Sequence, residues 1–414
     1  MNSNFLQNIQ KKIELLFRPQ KINHSLINEN ALNIIKNLKQ NNYEAYIVGG
    51  AVRDILMNHT PKDFDVVTNA TPEEVKTLFR RSRIIGRRFK LVHVIYGREI
   101  IEVSTFRANP TQKIHMSNGV LKDNEFGTIN EDAARRDFTI NALYYDPERK
   151  KLIDLYGGVN DIKNKKIKLI GNPKLRYKED PIRLIRAIRF SAKLKMDIYK
   201  STKDEINTSL KLLNKVPYSR LFDEIMKLFL TGHAIKSFSL FKTYKLSNLY
   251  FPILNKLNES SNKFILQALK DTDERILKNK SVNPGFLLAI FLWQDVLASW
   301  EKNKHKYAHP SISLNEAIDK TLYDQNKIFP IQKRYSIAMG EIWRLQPRFN
   351  NLSPKKIYRL LGHPKFRAAY DFMLLRSQTE KVHTDLASWW NNFVSADDAT
   401  KKILLNNKIK KKHA

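Results

Sequence analysis

The 414-residue sequence predicts an α/β head, a small mixed sheet with helices, followed by an all-α neck, body and C-terminal region. Three observations predict it. Strand-like apolar runs, interleaved with turns and short helical patterns, occupy roughly residues 26–150. Strand signals become scarce beyond Tyr156-Gly157-Gly158. Long helical patterns then run to the end, punctuated by Pro173, Pro217, Pro252, Pro284, Pro310, Pro330, Pro347 and Pro364. Domains usually hold about 100–200 residues, so two to four are expected, and no repeat of fixed period is visible.

In chain order, residues 1–24 are polar, basic and weakly patterned, and read as a flexible leader. The spacing of Leu26, Ala31, Ile34, Ile35 and Leu38 predicts an amphipathic helix over 25–40. A strand over 45–48 runs into Gly49-Gly50 and a helix over 51–57. Further strands are predicted over 63–68, 91–96 and 99–106, then a mobile polar loop over 108–122. A helix over 130–137 and a strand over 140–145 complete the head. The expected domains are therefore the leader, a catalytic head over 25–150, a helical neck for base recognition over 151–215, an RNA-binding helical body over 216–300, and an RNA-binding helical C-terminal region over 301–414 with a short basic tail at Lys408 and 410–412.

Composition narrows the function. Lysine plus arginine number 73 against 41 acidic residues, a formal charge of +32. That surplus repels itself and implies a polyanionic partner, although a Lys-, Asn- and Ile-rich composition also reflects mutational bias. Cysteine is absent, which excludes disulfides, thiolate metal sites and a cysteine nucleophile. The longest apolar run, 286–293, is far short of the roughly 20 residues that span a bilayer. The N-terminus lacks a signal-peptide pattern, and a cytoplasmic location is expected.

Four motifs carry chemistry. In Asp63-Phe64-Asp65, a strand would direct both carboxylates to one face and Phe64 to the core. Such a pair suits Mg²⁺, which takes few carboxylates together with phosphate oxygens and water. Two ions so held would activate an attacking hydroxyl and stabilise a pyrophosphate leaving group. Asp-x-Asp is common in solvated turns, and its weight here comes from Tyr46-Ile47-Val48-Gly49-Gly50 and Ala51-Val52-Arg53-Asp54 upstream. Strand, glycine turn and helix start together make a phosphate cradle, to which Arg53 adds a charge. Third, Arg135-Arg136-Asp137 precedes an apolar strand; it reads either as a solvated helix end or as contacts to ribose and phosphate. Asp137 is the favoured third carboxylate, with Glu102 its rival. Fourth, Glu179-Asp180-Pro181 opens a helix, with Asp180 as N-cap, and carries Arg183, Arg186 and Arg189 at i, i+3 spacing. A charged solvent face is the plain reading; Asp180 and Arg183 also offer an acceptor and a fork of donors to a base edge.

In this order the motifs resemble the class II nucleotidyltransferases, the tRNA CCA-adding enzymes and bacterial poly(A) polymerases. The resemblance covers residues 25–254 closely and reappears at Leu361-Gly362-His363-Pro364. It implies a catalytic head, a base-selecting neck and Mg²⁺-dependent transfer of a nucleotide to an RNA 3′ end. Gly49, Gly50 and Arg53 would then hold the triphosphate, and Asp63 and Asp65 the metals. Arg136 and Asp137 would lie by the ribose, with Asp180, Arg183, Arg186 and Arg189 around base and phosphates. Segment 84–93, with Gly86-Arg87-Arg88-Phe89, and Tyr218-Ser219-Arg220-Leu221-Phe222-Asp223-Glu224 are similar to the poly(A) polymerases, which implies ATP as substrate and the RNA-decay machinery as a possible partner. No His-Asp dipeptide marks a fused phosphohydrolase. The rival expectations are a CCA-adding enzyme and an inactive RNA-binding relative; intact Asp63 and Asp65 argue against the latter. The short chain after Trp390 implies a reduced RNA-binding tail.

Overall fold

The computed structural model describes residues 22–86, 90–108, 116–117, 120–121, 126–306, 309–379 and 384–413. Most of the leader, most of the loop predicted over 108–122, and Arg87, Arg88 and Phe89 lie outside the described residues, as do the side chains of the basic tail. The chain divides into two compact units, Met1–Asn214 and Lys215–Ala414.

The first unit is built on a seven-stranded sheet. Its strands are β1 (Ala45–Val48), β2 (Asp65–Thr68), β3 (Ser82–Ile85), β4 (Leu91–Tyr96), β5 (Glu99–Thr105), β6 (Leu143–Asp146) and β7 (Lys151–Asp154), in the order β3-β4-β5-β2-β1-β6-β7. The β2–β5 pair is parallel and the other pairs are antiparallel. Alternation divides the side chains by face. Ile47, Val66, Val92, Ile101 and Val103 join the main core beneath α1 (Glu29–Gln40), α2 (Gly50–Leu56) and α3 (Pro72–Leu78). Val48, Val67, Phe106 and Tyr144 form a smaller cluster on the other face, with Ala133 of α4 (Ile129–Arg135).

Local signals explain most boundaries. Asn28 accepts the N–H groups of Asn30 and Ala31, so α1 starts at Glu29, later than its apolar spacing predicts. Thr71 and Glu74 form a capping box with Pro72 in the first turn of α3, a helix legible in Thr-Pro-Glu-Glu but not predicted. The leader is shorter than expected: Ile22 packs in the main core, and His24 Nε2 meets the Tyr145 hydroxyl at 2.6 Å. The head also runs past residue 150, because β7 completes its sheet by pairing with β6. Ile140 and Asn141, predicted as the start of a strand, instead belong to a 3₁₀ turn, Thr139–Asn141, that precedes β6.

Beyond the sheet follow α5 (Gly158–Lys163), α6 (Pro173–Glu179), α7 (Ile182–Leu194) and α8 (Lys200–Ser209). Gly158 is required by close approach, since a Cβ there would sit 2.2 Å from the Thr139 carbonyl oxygen. The second unit is all-helical among the described residues, as the sequence predicts. Phe229 packs edge to face on Phe241 and Phe291, as does Phe251 on Phe291, in its interior. A separate cluster around Phe349, Tyr370 and Trp390 closes its C-terminal part, where the Trp390 indole donates to the Phe349 carbonyl at 3.0 Å.

Candidate active site

The site grows from the end of one strand pair. Gly49 adopts φ +75°, a conformation that favours glycine, and turns β1 into α2. The β1–β2 ladder therefore ends at Val48 opposite Asp65. Asp63 consequently lies in the loop ahead of β2, not on the strand as predicted, while Phe64 is buried as expected. Asp65 pairs on its other side with Glu102 of β5, and Glu102 pairs with His93 of β4, whose Nε2 is 3.5 Å from Glu102 Oε1. A row of Asp65, Glu102 and His93 thus crosses three strands on one face of the sheet.

Asp65 keeps accessible surface, yet protein crowds its carboxyl. That burial, with the negative charge of Glu102 and of Asp63, pushes its pKa up to about 6 against the opposing pull of Arg136. Arg136, among the described residues, offsets that negative charge only in part. Among the described residues no three acidic or histidine side chains converge on one metal position. Two carboxylates open to further oxygen ligands are the donor set that Mg²⁺ takes when it is shared with phosphates.

Arg136 stands opposite. Its guanidinium donates to Asp132 Oδ2 at 2.9 and 3.0 Å and to the Tyr144 hydroxyl at 2.9 Å, and its Nη1 lies 3.5 Å from the place where a Gly49 Cβ would be. The glycine turn and Arg136 are therefore brought together. Arg135 also pairs with Asp132, at 3.0 Å, and Arg107 lies close enough for burial and the Arg135 charge to lower its pKa to about 10. Burial alone would raise the Asp132 pKa, but Arg136 and Arg135 outweigh it and hold the carboxyl below its ordinary range. Asp132→Asn removes the carboxylate between two partly buried cations and is expected to cost about 3 kcal/mol near neutral pH. The depressed pKa gives the sign. Asp132 stabilises the fold above the ordinary carboxylate pKa, and that contribution is lost as pH falls through its lower folded value. Denaturant unfolding of both proteins between pH 7 and roughly pH 3 checks it, since the difference should shrink on acidification.

Arg53 is placed differently from expectation. It is buried, donates through Nε and Nη2 to Asp54 Oδ1 at 2.9 and 2.7 Å, and through Nη1 to Asn141 Oδ1 at 2.6 Å. Its guanidinium braces the floor of the glycine turn. Asn141 also donates to Asp137 Oδ1 at 3.2 Å, which explains why the 3₁₀ turn displaces a strand here. Asp137 accepts the Phe138 N–H at 2.8 Å, and its Oδ2 lies 2.5 Å from Arg186 Nη2. Burial opposes its charge, but Arg186, Asn141 and the Phe138 amide prevail and hold its pKa down. Strand pairing places Glu102, the rival, directly beside Asp65; Asp137 instead ties the sheet end to α7.

On α7 the N-cap is Pro181, one residue later than predicted, and Asp180 just ahead of it accepts the Ile182 N–H at 3.2 Å. The apolar positions 182, 184, 185, 187 and 188 are buried, which leaves Arg183, Arg186 and Arg189 on a half-buried side. Arg183 Nη1 donates to Glu179 Oε2 at 2.9 Å and to the Arg176 carbonyl at 3.0 Å. Glu179 Oε2 also accepts from Arg176 Nη1 at 2.8 Å, and Arg176 Nη2 reaches the carbonyls of Arg135 and Arg136 at 2.8 and 2.5 Å. Arg53, Arg186 and Arg189 surround the Phe190 ring at 5.6, 5.7 and 4.5 Å. Lys193, one turn beyond Arg189, has its pKa lowered by burial and by Arg53.

Sequence reasoning missed Asp132, Asn141, Tyr144, Arg176 and Lys193. Glu179 it quoted without a role, although an acid four residues before Arg183 is a recognisable helix pairing. Asp132 carries the same signal, with Arg135 and Arg136 three and four residues on, while Asn141, Arg176 and Lys193 lie beside groups distant in sequence.

Comparison with known proteins places the chain in a family. Residues 45–168 match the poly A polymerase head domain, 195–257 the probable RNA and SrmB-binding site of polymerase A, and 306–414 the polymerase A arginine-rich C-terminus. Poly(A) polymerase I of Salmonella typhi is 41% identical over 401 residues, covering 92% of this chain and 85% of that protein. The CCA-adding enzyme of Geobacillus sp. (strain WCH70) is 38% identical over 277 residues, 66% of each chain. A solved complex of a CCA-adding enzyme with ATP shares the fold, with a TM-score of 0.64 at 19% identity over 94% of this chain and 93% of the other. The match to the poly(A) polymerase extends well beyond the catalytic region shared with CCA-adding enzymes, so the chain belongs to the poly(A) polymerase family of nucleotidyltransferases.

Proposed function

We infer that this protein polyadenylates RNA without a template, transferring AMP from ATP to an RNA 3′-hydroxyl and releasing pyrophosphate. The observation that carries the chemistry is the end of the β1–β2 ladder, where Asp63 and Asp65 lie beside Glu102 and across from Arg136. Asp63 and Asp65 would hold Mg²⁺, and the raised Asp65 pKa supports a site completed by external positive charge. When bound, the metal lowers the barrier by activating the 3′-hydroxyl and neutralising charge on the departing pyrophosphate. Gly49 and Gly50 leave room for the triphosphate, and Arg136 faces that space. Asp180 and Arg183 offer an acceptor and a donor fork to the base, and Glu179 and Arg176 fix the fork. No helix among the described residues is long and apolar enough to cross a membrane.

The identity of the tail tests the assignment. Incubated with Mg²⁺, all four nucleoside triphosphates and an RNA of mixed sequence, the protein should add long runs of adenosine alone. Addition of two cytidines and one adenosine to a trimmed tRNA, followed by arrest, would assign it instead to CCA addition.

A further inference from the structure

One guanidinium in the first unit reaches both halves of the nucleotide site. Arg176 lies on α6, with its side chain mostly buried. Its Nη2 donates to the carbonyls of Arg135 and Arg136 at 2.8 and 2.5 Å, and its Nη1 donates to Glu179 Oε2 at 2.8 Å. The two carbonyls stand at the end of α4, where a helix leaves its carbonyls unpaired and its dipole is negative, so a cation suits the place. A planar guanidinium serves two directions at once from fixed angles, which an ammonium cannot. The cost shows on the third edge, where the buried Nε has no partner among the described residues. Buried donors are normally satisfied, so the two Nη contacts decide this orientation.

Both arms end on residues with nucleotide roles. On the head side the Arg136 carbonyl is pinned, while its guanidinium, held by Asp132 and Tyr144, faces the glycine turn. On the neck side Glu179 Oε2 also accepts from Arg183 Nη1 at 2.9 Å, and the Arg176 carbonyl accepts from the same Nη1 at 3.0 Å. The platform is firm. Asn172 accepts the Leu175 N–H at 3.3 Å at the start of α6, and the buried Tyr177 hydroxyl donates to the Thr202 carbonyl of α8 at 3.2 Å.

We propose that Arg176 is a positioning residue that locks base choice to triphosphate placement, given the reading above in which Arg183 meets the base and Arg136 the triphosphate. Displacement of either arginine passes to the other through Glu179, Arg176 and the backbone at 135–136. A base that does not fit Arg183 therefore also shifts the group that grips the phosphates, and a misplaced triphosphate reacts slowly. Arg176 contacts no part of ATP in this scheme.

The test uses the full chain, with kcat/KM for ATP and for CTP reading base choice. Inhibition by inorganic tripolyphosphate reads the phosphate side alone. Arg176→Gln should lower the ATP/CTP ratio about tenfold and weaken tripolyphosphate inhibition about threefold or more, as expected within one hydrogen-bonded network. Glu179→Gln cuts only the neck arm, so it should lower the ratio and leave tripolyphosphate inhibition unchanged. In an Arg183→Ala background, Arg176→Gln should cost no further discrimination, yet weaken tripolyphosphate inhibition as before. A merely structural role predicts that the ratio falls by the same factor in both backgrounds, and that result overturns the proposal. So does an Arg176→Gln protein in which either readout is unchanged. Should Arg176→Gln fail to fold, Arg176→Lys keeps the charge and carries the test, with losses of about threefold or more in both readouts. Full retention of both by Arg176→Lys shows that charge suffices and overturns the two-armed bridge. A parent protein that uses ATP and CTP equally removes the polyadenylation reading and this proposal with it. A parent that prefers ATP, while Arg176→Gln keeps both readouts, removes this proposal alone.

Discussion

Asp65→Asn is expected to abolish nucleotide transfer while making the metal-free protein more stable. The loss should be on the order of a thousandfold or more, since a metal at this position supplies several kcal/mol and each factor of ten requires about 1.4. Asp63→Asn should lose activity comparably, because both carboxylates serve one cluster. The gain in stability follows from the raised pKa. Below the ordinary Asp value the carboxyl is protonated in folded and unfolded chains, and its charge costs nothing. As pH rises through about 6 the folded protein must ionise it against burial, Glu102 and Asp63, so the cost is fully present near pH 7.5. Asparagine removes that cost. The unfolding midpoint of the variant should therefore exceed that of the parent near pH 7.5 by a few degrees, and the two should converge toward about pH 4. Added Mg²⁺ should raise the midpoint of the parent and leave the variant unmoved. A variant less stable than the parent at every pH would show that Asp65 supports the fold, not a metal.

Arg183→Ala is expected to lower discrimination between ATP and CTP by on the order of a hundredfold, because a polar base site rejects a wrong base by leaving its own groups unpaired. The Michaelis constant for ATP should change less than this ratio, since the triphosphate is held elsewhere. Glu179→Gln should produce a smaller loss in the same ratio. Glu179 touches no base in this scheme; it fixes the Arg183 guanidinium against Arg176. Arg183→Lys should not restore selectivity, because an ammonium cannot present two parallel donors from a fixed plane. Competition between ATP and CTP on one RNA, with products sequenced, reads the ratio directly. Selectivity unchanged in both variants would remove α7 from base choice.

Much of this protein was legible in its sequence because the information was local. Apolar spacing marked β1, β4 and β5, and Pro181 with Asp180 marked the start of α7. Glycines, a carboxylate pair and a run of arginines marked a nucleotide site, since each motif spans only a few residues. The α/β head and helical remainder followed from period alone.

What tertiary structure decided was which partner each charged group meets. Asp63 leaves the strand because its partner β1 ends at Val48, where the Gly49 turn begins. Arg53 becomes a brace because folding brings Asn141, distant in sequence, within 2.6 Å. Glu102 gains its place beside Asp65 from a parallel pairing that no local pattern specifies, and Asp137 is drawn to Arg186 on a helix beyond the sheet. The motifs fix which side chains are available. Register and helix docking fix the distances between them, and charge interactions depend on distance and burial, so ligand and brace are told apart only in three dimensions.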